Sequence, residues 1–379
     1  MAETPSPEVT TLAITPTTPI GEKELEITAS RGFLAVSIAI RLGVILGALW
    51  LFVLALQLIK TGAAGLVPIL DGASVDGVLG HMGFGWLGAY IVMSGSPVAA
   101  IAMSLLAGDA ISDVETFAMI NGTRMGASLI VLVVGFVSYI TGRRNPDGLY
   151  IGVVALLTAM TLWAPAMPLG LLVLDRGWLD GIEIQSPGAL TSFVGAISDP
   201  IVNPLDDALP ELLLFVCGVG ALIGAFALFD RSLPSLERPG PRIEALSKAL
   251  QQCYAMFAFG TLMTLVTLSV SLSVTILVPL ALKGYVQRDR VIPYVMGANI
   301  ATWIDTLLAA LLLDSPRAFT VVLTEMVVGC SISLFVLLFF YKPYTAMILG
   351  VAHTASRSRR NLIALLTVLF AMPLVLLVV

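Results

Sequence analysis

The sequence has few charged residues, few cysteines and few histidines. Charged residues make up only 12% of its 379 residues, against 58% hydrophobic residues. A soluble core of this size needs a larger charged surface, so the composition excludes an ordinary soluble protein. The three cysteines (Cys217, Cys253, Cys330) and two histidines (His81, His353) have no metal-ligand spacing and suggest no disulfide framework.

Motifs of an intramembrane enzyme are also missing. The chain has no HExxH sequence, no convincing nucleophile–base pair and no cofactor fingerprint. We therefore expect no enzymatic activity, no cofactor and no nucleic-acid partner. A cleavable signal peptide is not expected either, because the first apolar run starts near Phe33, is too long and ends without a small-residue cleavage site.

Long apolar runs dominate what is present. Most fit a membrane crossing of about 20 residues, which predicts an all-α polytopic membrane protein. Two runs are interrupted by polar residues, 82–107 by SGSP at 94–97 and 250–282 by TLSVSLSVT at 267–275. The apolar runs lie at 33–59, 82–107, 117–140, 149–173, 211–229, 250–282, 291–313, 319–341 and 361–379.

The distribution of basic residues indicates how the two interrupted runs lie. With the N-terminus in the cytoplasm and both runs entering and leaving on one face, only Lys60, Arg176 and Arg317 fall outside. Full crossings instead place the basic loops 141–148 and 283–290 on opposite sides. The runs are therefore predicted to be re-entrant hairpins. Each arm of roughly 20–24 Å is shorter than a core of about 30 Å, so the hairpin tips end inside the membrane and face protein.

The chain also repeats itself with a shift of 175 residues. Gly297 then matches Gly122, and Ser269 matches Ser94. The two copies are helix–hairpin–helix–helix units with opposite orientation, an inverted repeat typical of secondary transporters. The predicted units are a disordered cytoplasmic tail (1–32), the first repeat (33–173), an extracytoplasmic loop (174–210), the second repeat (211–341), and a cytoplasmic linker with a peripheral C-terminal helix (342–379).

In an inverted repeat the binding site lies near the midplane, between the hairpin tips. Hydroxyls and amides at broken helix ends bind oxyanions, and carbonyls at helix C-termini coordinate Na⁺. Each serine alone is as well explained by a bond back to its own helix or by close helix packing. Matching positions in both repeats favour a site. The candidates at the tips are Ser94, Ser96, Ser269, Ser271, Ser273 and Thr275.

Arg124 is the strongest single candidate for a binding residue, because it lies about eight residues into its span, where burying a cation is costly. Its planar guanidinium suits phosphate or carboxylate, so it either binds an anionic substrate or pairs with Asp305 or Glu325. Asn299 holds the equivalent place in the second repeat, as a ligand group or a helix-packing hydrogen bonder. Glu325 is either a proton relay or the partner that neutralises Arg124.

These motifs resemble the type II sodium–phosphate cotransporter family. Each repeat of that family carries a QSSS hairpin motif followed, after a fixed gap, by a GANIGT-like motif. Here MSGS at 93–96 precedes GTRMGAS at 122–128, and LSVS at 268–271 precedes GANIATW at 297–303. The resemblance covers about 33–341. It implies sodium-coupled uptake of inorganic phosphate, with Ser94, Ser96, Ser269, Ser271, Asn299 and Thr302 at the substrate and sodium sites.

The chain departs from the family motifs at several positions. The motif glutamine is Met93 in one copy and Leu268 in the other, the middle serine is Gly95 or Val270, and the first-repeat asparagine is Arg124. A fixed arginine can take the electrostatic role of a bound Na⁺. Anion transport with altered or absent sodium coupling is then the hypothesis.

The sequence thus predicts a secondary active transporter that moves inorganic phosphate or a related small anion across the plasma membrane, the bacterial inner membrane. Na⁺ is the candidate coupling ion, and no other metal is expected. Membrane lipids surround the protein, and the pattern allows a homodimer without requiring one. The alternative is a non-transporting membrane scaffold or sensor that retains the transporter fold.

Overall fold

A computed structural model describes residues 20–378 except 73–74, 76, 134–135, 137–145, 183–185, 233–250, 268, 271–272, 275–276, 278–280 and 282–285. For residues 20–39, 71, 146–147 and 230 it describes the backbone alone. Within this part of the chain, helices are connected by turns and there is no strand. The predicted all-α class is therefore confirmed for the described residues.

The α-helices are numbered in chain order. They are α1 Ile20–Thr61, α2 Val67–Gly72, α3 Gly77–Val92, α4 Gly95–Ala107, α5 Asp113–Ala127, α6 Pro146–Asp175, α7 Gly188–Ala208, α8 Glu211–Ser232, α9 Cys253–Thr267, α10 Val291–Ala301, α11 Trp303–Leu312, α12 Pro316–Phe335, α13 Tyr341–Arg357 and α14 Arg359–Val378. Short 3₁₀ turns precede α2 and α10, and a π-helical segment, Val336–Phe340, joins α12 to α13.

Seven helical stretches among the described residues are long and apolar enough to cross a membrane. This supports the membrane class, since each contains at least the residues that a hydrocarbon core of about 30 Å requires. The stretches are Ile40–Thr61, Asp113–Val133, Gly148–Asp175, Glu211–Phe229, Arg288–Leu312, Pro316–Arg357 and Arg359–Val378.

The two interrupted runs do not form long helices. The first consists of α3 and α4, with 16 and 13 residues, and the second begins with α9, with 15 residues. Between α3 and α4 the backbone turns at Met93, whose φ is 56°, and then extends at Ser94. Helices of this length span about 20–24 Å, so the break at Met93 and Ser94 lies inside the bundle.

The first hairpin opens at one end of the bundle, called the Lys60 end. Lys60 Nζ donates to the carbonyl oxygen of Leu313 at 3.2 Å, and Gly108, directly after α4, lies against the Lys60 carbonyl. His81 near the start of α3 lies 3.9 Å from Glu115 near the start of α5. The chain therefore enters the hairpin and leaves it at the same end.

The second interrupted run opens at the other end, called the Tyr341 end. Tyr341 Oη donates to the Asp289 carbonyl at 3.1 Å and accepts from Arg290 Nη1 at 3.3 Å. Cys253, the first residue of α9, interacts with both Tyr341 and Arg290. The chain thus leaves this end with α9 and returns to it before α10. Helices α10 and α11 then run to the Lys60 end, where Gln57 Nε2 donates to the Leu312 carbonyl.

Glycines make the closest helix contacts. A Cβ atom added to Gly85 would lie 2.0 Å from the Met119 carbonyl oxygen, and one added to Gly122 would lie 2.0 Å from that of Met82. These glycines therefore let the backbones of α3 and α5 touch. The same crossing recurs 175 residues later between α9 and α10: a Cβ atom added to Gly260 would lie 2.1 Å from the Tyr294 carbonyl oxygen, and one added to Gly297 would lie 2.0 Å from that of Phe257.

Three segments differ from their predictions. Helix α1 begins at Ile20, so residues 20–32 are helical rather than part of a disordered tail; they contain good helix formers and no proline. The loop 174–210 contains α7, whose Val194, Ser198 and Val202 form a buried stripe at four-residue spacing. Most of the linker after residue 341 is α13.

The last helix, α14, packs on α3, where Tyr90 Oη donates to the Leu369 carbonyl at 3.1 Å.

Candidate functional site

Arg124 is buried near the middle of the bundle. It lies eleven residues after Asp113, the start of α5 at the Lys60 end, which corresponds to about 16 Å of helix. A capping box between Ser112 and Glu115 begins this helix. Only 6% of the Arg124 surface is exposed. A cation at this depth needs a partner, because burying a charge without one is costly.

Two carboxylates provide that partner. Glu325 Oε1 on α12 lies 3.7 Å from Arg124 Nε. Asp305 on α11 also interacts electrostatically with Arg124 and, in addition, with the Ser96 side chain. Arg124 Nη2 is 3.5 Å from Thr306 Oγ1, at the long limit of a hydrogen bond. The structure therefore places Arg124 between both acidic candidates instead of pairing it with one.

Hydrogen bonding within this charge cluster is incomplete. Among the described residues, Arg124 Nε, both oxygens of Glu325 and Asp305 Oδ2 have no hydrogen-bond partner. The Asn299 side-chain nitrogen has none either. Each buried polar atom left without a partner costs about 1–3 kcal/mol. In native proteins such groups are rare, and a bound water, an ion or a functional role accounts for them.

A central cavity lies beside the cluster, with a water-accessible volume of about 30 Å³. It has room for a water molecule or two and is too small for an anion the size of phosphate. The predicted site residues among its lining are Ser94, Ser96, Arg124, Asn299 and Thr302. Val270 and Val274 of the second interrupted run also line it. The broken segments of both halves of the chain therefore meet at one cavity.

The hairpin tip contributes the start of α4. Ser94 is the N-cap residue in extended conformation, and its side chain makes no capping hydrogen bond. A Cβ atom on Gly95 would lie 3.0 Å from the Thr123 carbonyl oxygen, so the tip packs tightly on α5 one residue before Arg124. The partial positive charge of the α4 N-terminus and the Arg124 guanidinium thus face the same cavity.

The candidate hydroxyl residues of the second interrupted run do not all lie at the same cavity. Ser269 shares a neighbouring cavity of about 130 Å³ with Ser94 and Ser96. Ser273 is fully buried, and its hydroxyl lies 2.8 Å from Tyr294 Oη, which also bonds the Ser273 carbonyl. The structure thus places the Ser273 hydroxyl in a contact with α10 and not in the cavity lining. Ser271 and Thr275 lie outside the described residues.

Two further polar residues lie at the site. Ser128 lines the central cavity one helical turn after Arg124, and its hydroxyl donates to the Met125 carbonyl. The four-residue spacing from Arg124, which places both on one helix face, is the signal that identifies it. Thr306 contacts Arg124 from α11, and only the fold brings these two together, since 182 positions separate them.

The chain matches no protein-family model, and no curated protein or solved structure is significantly similar to it.

Proposed function

We propose that this protein is a secondary active transporter that moves inorganic phosphate or a related small anion across the plasma membrane. The proposed architecture is two inverted repeats, 33–173 and 211–341. The recurrence of the glycine crossing after 175 residues supports it, as does the opening of the two interrupted runs at opposite ends of the bundle. The motif resemblance to sodium–phosphate cotransporters points to the same function.

One observation carries the proposal. The start of α4, two residues of the second interrupted run (Val270 and Val274), and Arg124 and Asn299 all line one cavity near the middle of the bundle. Irregular backbone at membrane depth persists only when it is buried in protein or lines a wet cavity. Transporters with inverted repeats bind their substrates at such places.

In this proposal, Arg124 provides the charge that binds the oxyanion. Its planar guanidinium forms two parallel hydrogen bonds with phosphate-like groups. The hydroxyls of Ser94 and Ser96 and the first amides of α4 complete the anion's hydrogen bonds. Since the cavity holds little more than a water molecule, the anion enters only after the hairpin tip moves away from α5.

Movement of one half against the other then exposes the site alternately to each side. At the Lys60 end, Arg317 on α12 binds Asp109 and Asp113 on either side of the α4–α5 turn, at 2.8 and 3.0 Å. We assign this bridge as a latch that holds the Lys60 end closed. It is exposed to solvent, so it is weak enough to open during a transport cycle.

The test is uptake of labelled phosphate into proteoliposomes, with and without an inward Na⁺ gradient. Arg124→Asn restores the residue of the family motif, and Arg41→Asn is the matched control, because Arg41 is an exposed arginine of another span. We expect wild-type and Arg41→Asn uptake without sodium dependence, and a sodium effect in Arg124→Asn. Strong sodium dependence of the wild type would contradict the fixed-cation hypothesis while supporting transport.

A second candidate function is a non-transporting membrane scaffold or sensor. It is favoured by the Arg124–Glu325 contact, which already neutralises the cation that the anion needs. The two functions differ in anion binding to the purified protein. Phosphate binding without Na⁺ that is lost in Arg124→Asn supports transport. Absence of both binding and uptake supports the scaffold.

A further inference from the structure

The charge cluster around Arg124 has more negative than positive groups. Arg124 carries one positive charge, and Asp305 and Glu325 together carry two negative charges when ionised. At this depth an uncompensated charge is strongly unfavourable. Binding a monovalent anion adds one more negative charge to the same place. The proposed function therefore requires positive charge to arrive with the anion.

No other described side chain provides this charge. Among the residues that the structure describes, Arg124 is the only charged group that acts on either carboxylate. Helix α4 has no titratable residue, and Tyr294 on α10 is bonded to Ser273. The remaining titratable groups on the elements packed against α11 and α12 lie at the ends of the bundle or on other surfaces: Arg41, Lys60, Asp113, Glu115, Tyr150, Asp175, Asp199, Asp206, Asp207, Arg317 and Cys330.

We propose that Asp305 and Glu325 form a proton-binding site, and that protons take the place of Na⁺ as the coupling ion. This inference rests on the proposed function and names its driving ion. The empty site is neutral when the two carboxyls share one proton beside Arg124. With a monovalent phosphate bound, it is neutral when both carboxyls are protonated. One proton therefore enters with each monovalent anion.

The geometry favours a proton over a sodium ion. The central cavity is lined by Arg124 but by neither Asp305 nor Glu325, so the carboxylates do not border its space. Glu325 is 1% exposed. A metal cation needs room and several oxygen ligands, whereas a proton needs a single carboxylate lone pair.

The anion and the carboxylates also compete for one guanidinium. When phosphate binds Arg124, its oxygens replace the contact of Glu325 Oε1 with Arg124 Nε, which is only 3.7 Å long and makes no hydrogen bond. The displaced carboxylate takes up a proton, which forms its O–H bond. When phosphate leaves on the other side, the carboxyl loses that proton and contacts Arg124 again. No charge remains uncompensated in either state.

The wild-type protein in proteoliposomes provides the first test. Labelled phosphate uptake is measured without Na⁺, with the outside more acidic and with the membrane potential clamped by potassium and valinomycin. We expect the inside-to-outside ratio of monovalent phosphate, obtained from the label and the pH on each side, to approach about tenfold for each unit of pH difference, as one coupled proton requires. Changing the clamped potential should leave this ratio unchanged, because the coupled movement is electroneutral.

The double variant Glu325→Gln/Asp305→Asn provides the second test, because either carboxyl alone can still exchange one proton with each anion; Glu115→Gln is the matched control at the Lys60 end. Exchange of labelled for unlabelled phosphate needs no net proton movement, so we expect the double variant to retain exchange and lose accumulation driven by the pH gradient. A merely structural role would reduce exchange and accumulation together. Glu115→Gln should behave like the wild type.

The outcomes separate the two proposals. No phosphate uptake or exchange by the wild type under any gradient overturns the proposed function, and the coupling with it. Phosphate exchange without accumulation by a pH gradient, or accumulation by a Na⁺ gradient instead, overturns only the proton coupling. Normal accumulation in the double variant Glu325→Gln/Asp305→Asn also overturns the assignment of these carboxyls, whatever ion drives the wild type.

Discussion

Arg124 Nε lies 3.7 Å from Glu325 Oε1, within the distance of an ion pair but without a hydrogen bond between them. The side chains come from α5 and α12, 201 positions apart, and both are buried. A pair optimised for stability would be bidentate, with its lone pairs and protons satisfied. This contact instead leaves Arg124 able to exchange one partner for another.

The Arg124–Glu325 contact predicts a non-additive mutant cycle. Arg124→Met leaves two carboxylates without a cation and should destabilise the protein by about 3–5 kcal/mol, whereas Glu325→Met leaves Arg124 compensated by Asp305 and should cost less. The double variant should lose less than the sum, by about 1–3 kcal/mol, because no lone charge of the pair remains. Thermal unfolding of the purified variants in detergent measures the cycle. Additive losses would show that the two side chains are not coupled.

The glycine crossings predict loss of folding when a methyl group is added. Gly122→Ala and Gly297→Ala place a Cβ atom 2.0 Å from a backbone carbonyl oxygen of the neighbouring helix, so the helices must separate. We expect little folded protein from either variant. Gly220→Ala on α8 is the matched control, since nothing lies within 4 Å of its added Cβ. It should be neutral or more stable by up to about 1 kcal/mol, and size-exclusion profiles and melting temperatures distinguish these results.

Ser273 and Ser96 are predicted to differ in their effects. The Ser273 hydroxyl contacts Tyr294 at 2.8 Å, so Ser273→Ala should cost about 1–2 kcal/mol of stability. Its effect on the phosphate KM should be small. Ser96 lines the central cavity, so Ser96→Ala should raise the KM more, and it should also cost stability because Asp305 loses its hydrogen bond with Ser96. Parallel measurements of melting temperature and uptake kinetics test this, and a larger KM effect for Ser273→Ala would assign its hydroxyl to the ligand.

The bridge at the Lys60 end predicts a change in access to the cavity. Arg317→Gln removes both contacts with Asp109 and Asp113 and should cost no more than about 1 kcal/mol, because the bridge is solvent-exposed. The proposed latch should nevertheless open more often. Access to the cavity can be measured with Ser128→Cys in a protein that lacks its three native cysteines, since Ser128 lines the cavity.

We expect Arg317→Gln to increase the rate at which a membrane-impermeant thiol reagent modifies that cysteine. Arg176→Gln serves as the control, because Arg176 directly follows α6 and takes no part in this bridge. Equal labelling rates in the wild-type, Arg317→Gln and Arg176→Gln backgrounds would remove the latch from the transport scheme.

Composition and local spacing were sufficient to predict much of the fold. Long apolar runs predict membrane helices because the hydrocarbon core imposes a fixed length on each crossing. The polar interruptions at 94–97 and 267–275 predict where those helices break, and α3, α4 and α9 have the short lengths expected of hairpin arms. Helix α7 was not predicted from the sequence, because Pro200 and Pro204 favour a loop. Its stripe of buried residues becomes evident only when the helix packs against α1.

The sequence by itself determined the membrane class, the positions of the helix breaks and the polar residues available for a site, since each depends on local composition. It placed Arg124, Asp305 and Glu325 in spans and left their pairing open. Only the tertiary structure decided that both carboxylates interact with the same guanidinium, and that the Ser273 hydroxyl forms a hydrogen bond with Tyr294. Such contacts join helices far apart in the chain, and they depend on how close the glycine crossings bring the backbones.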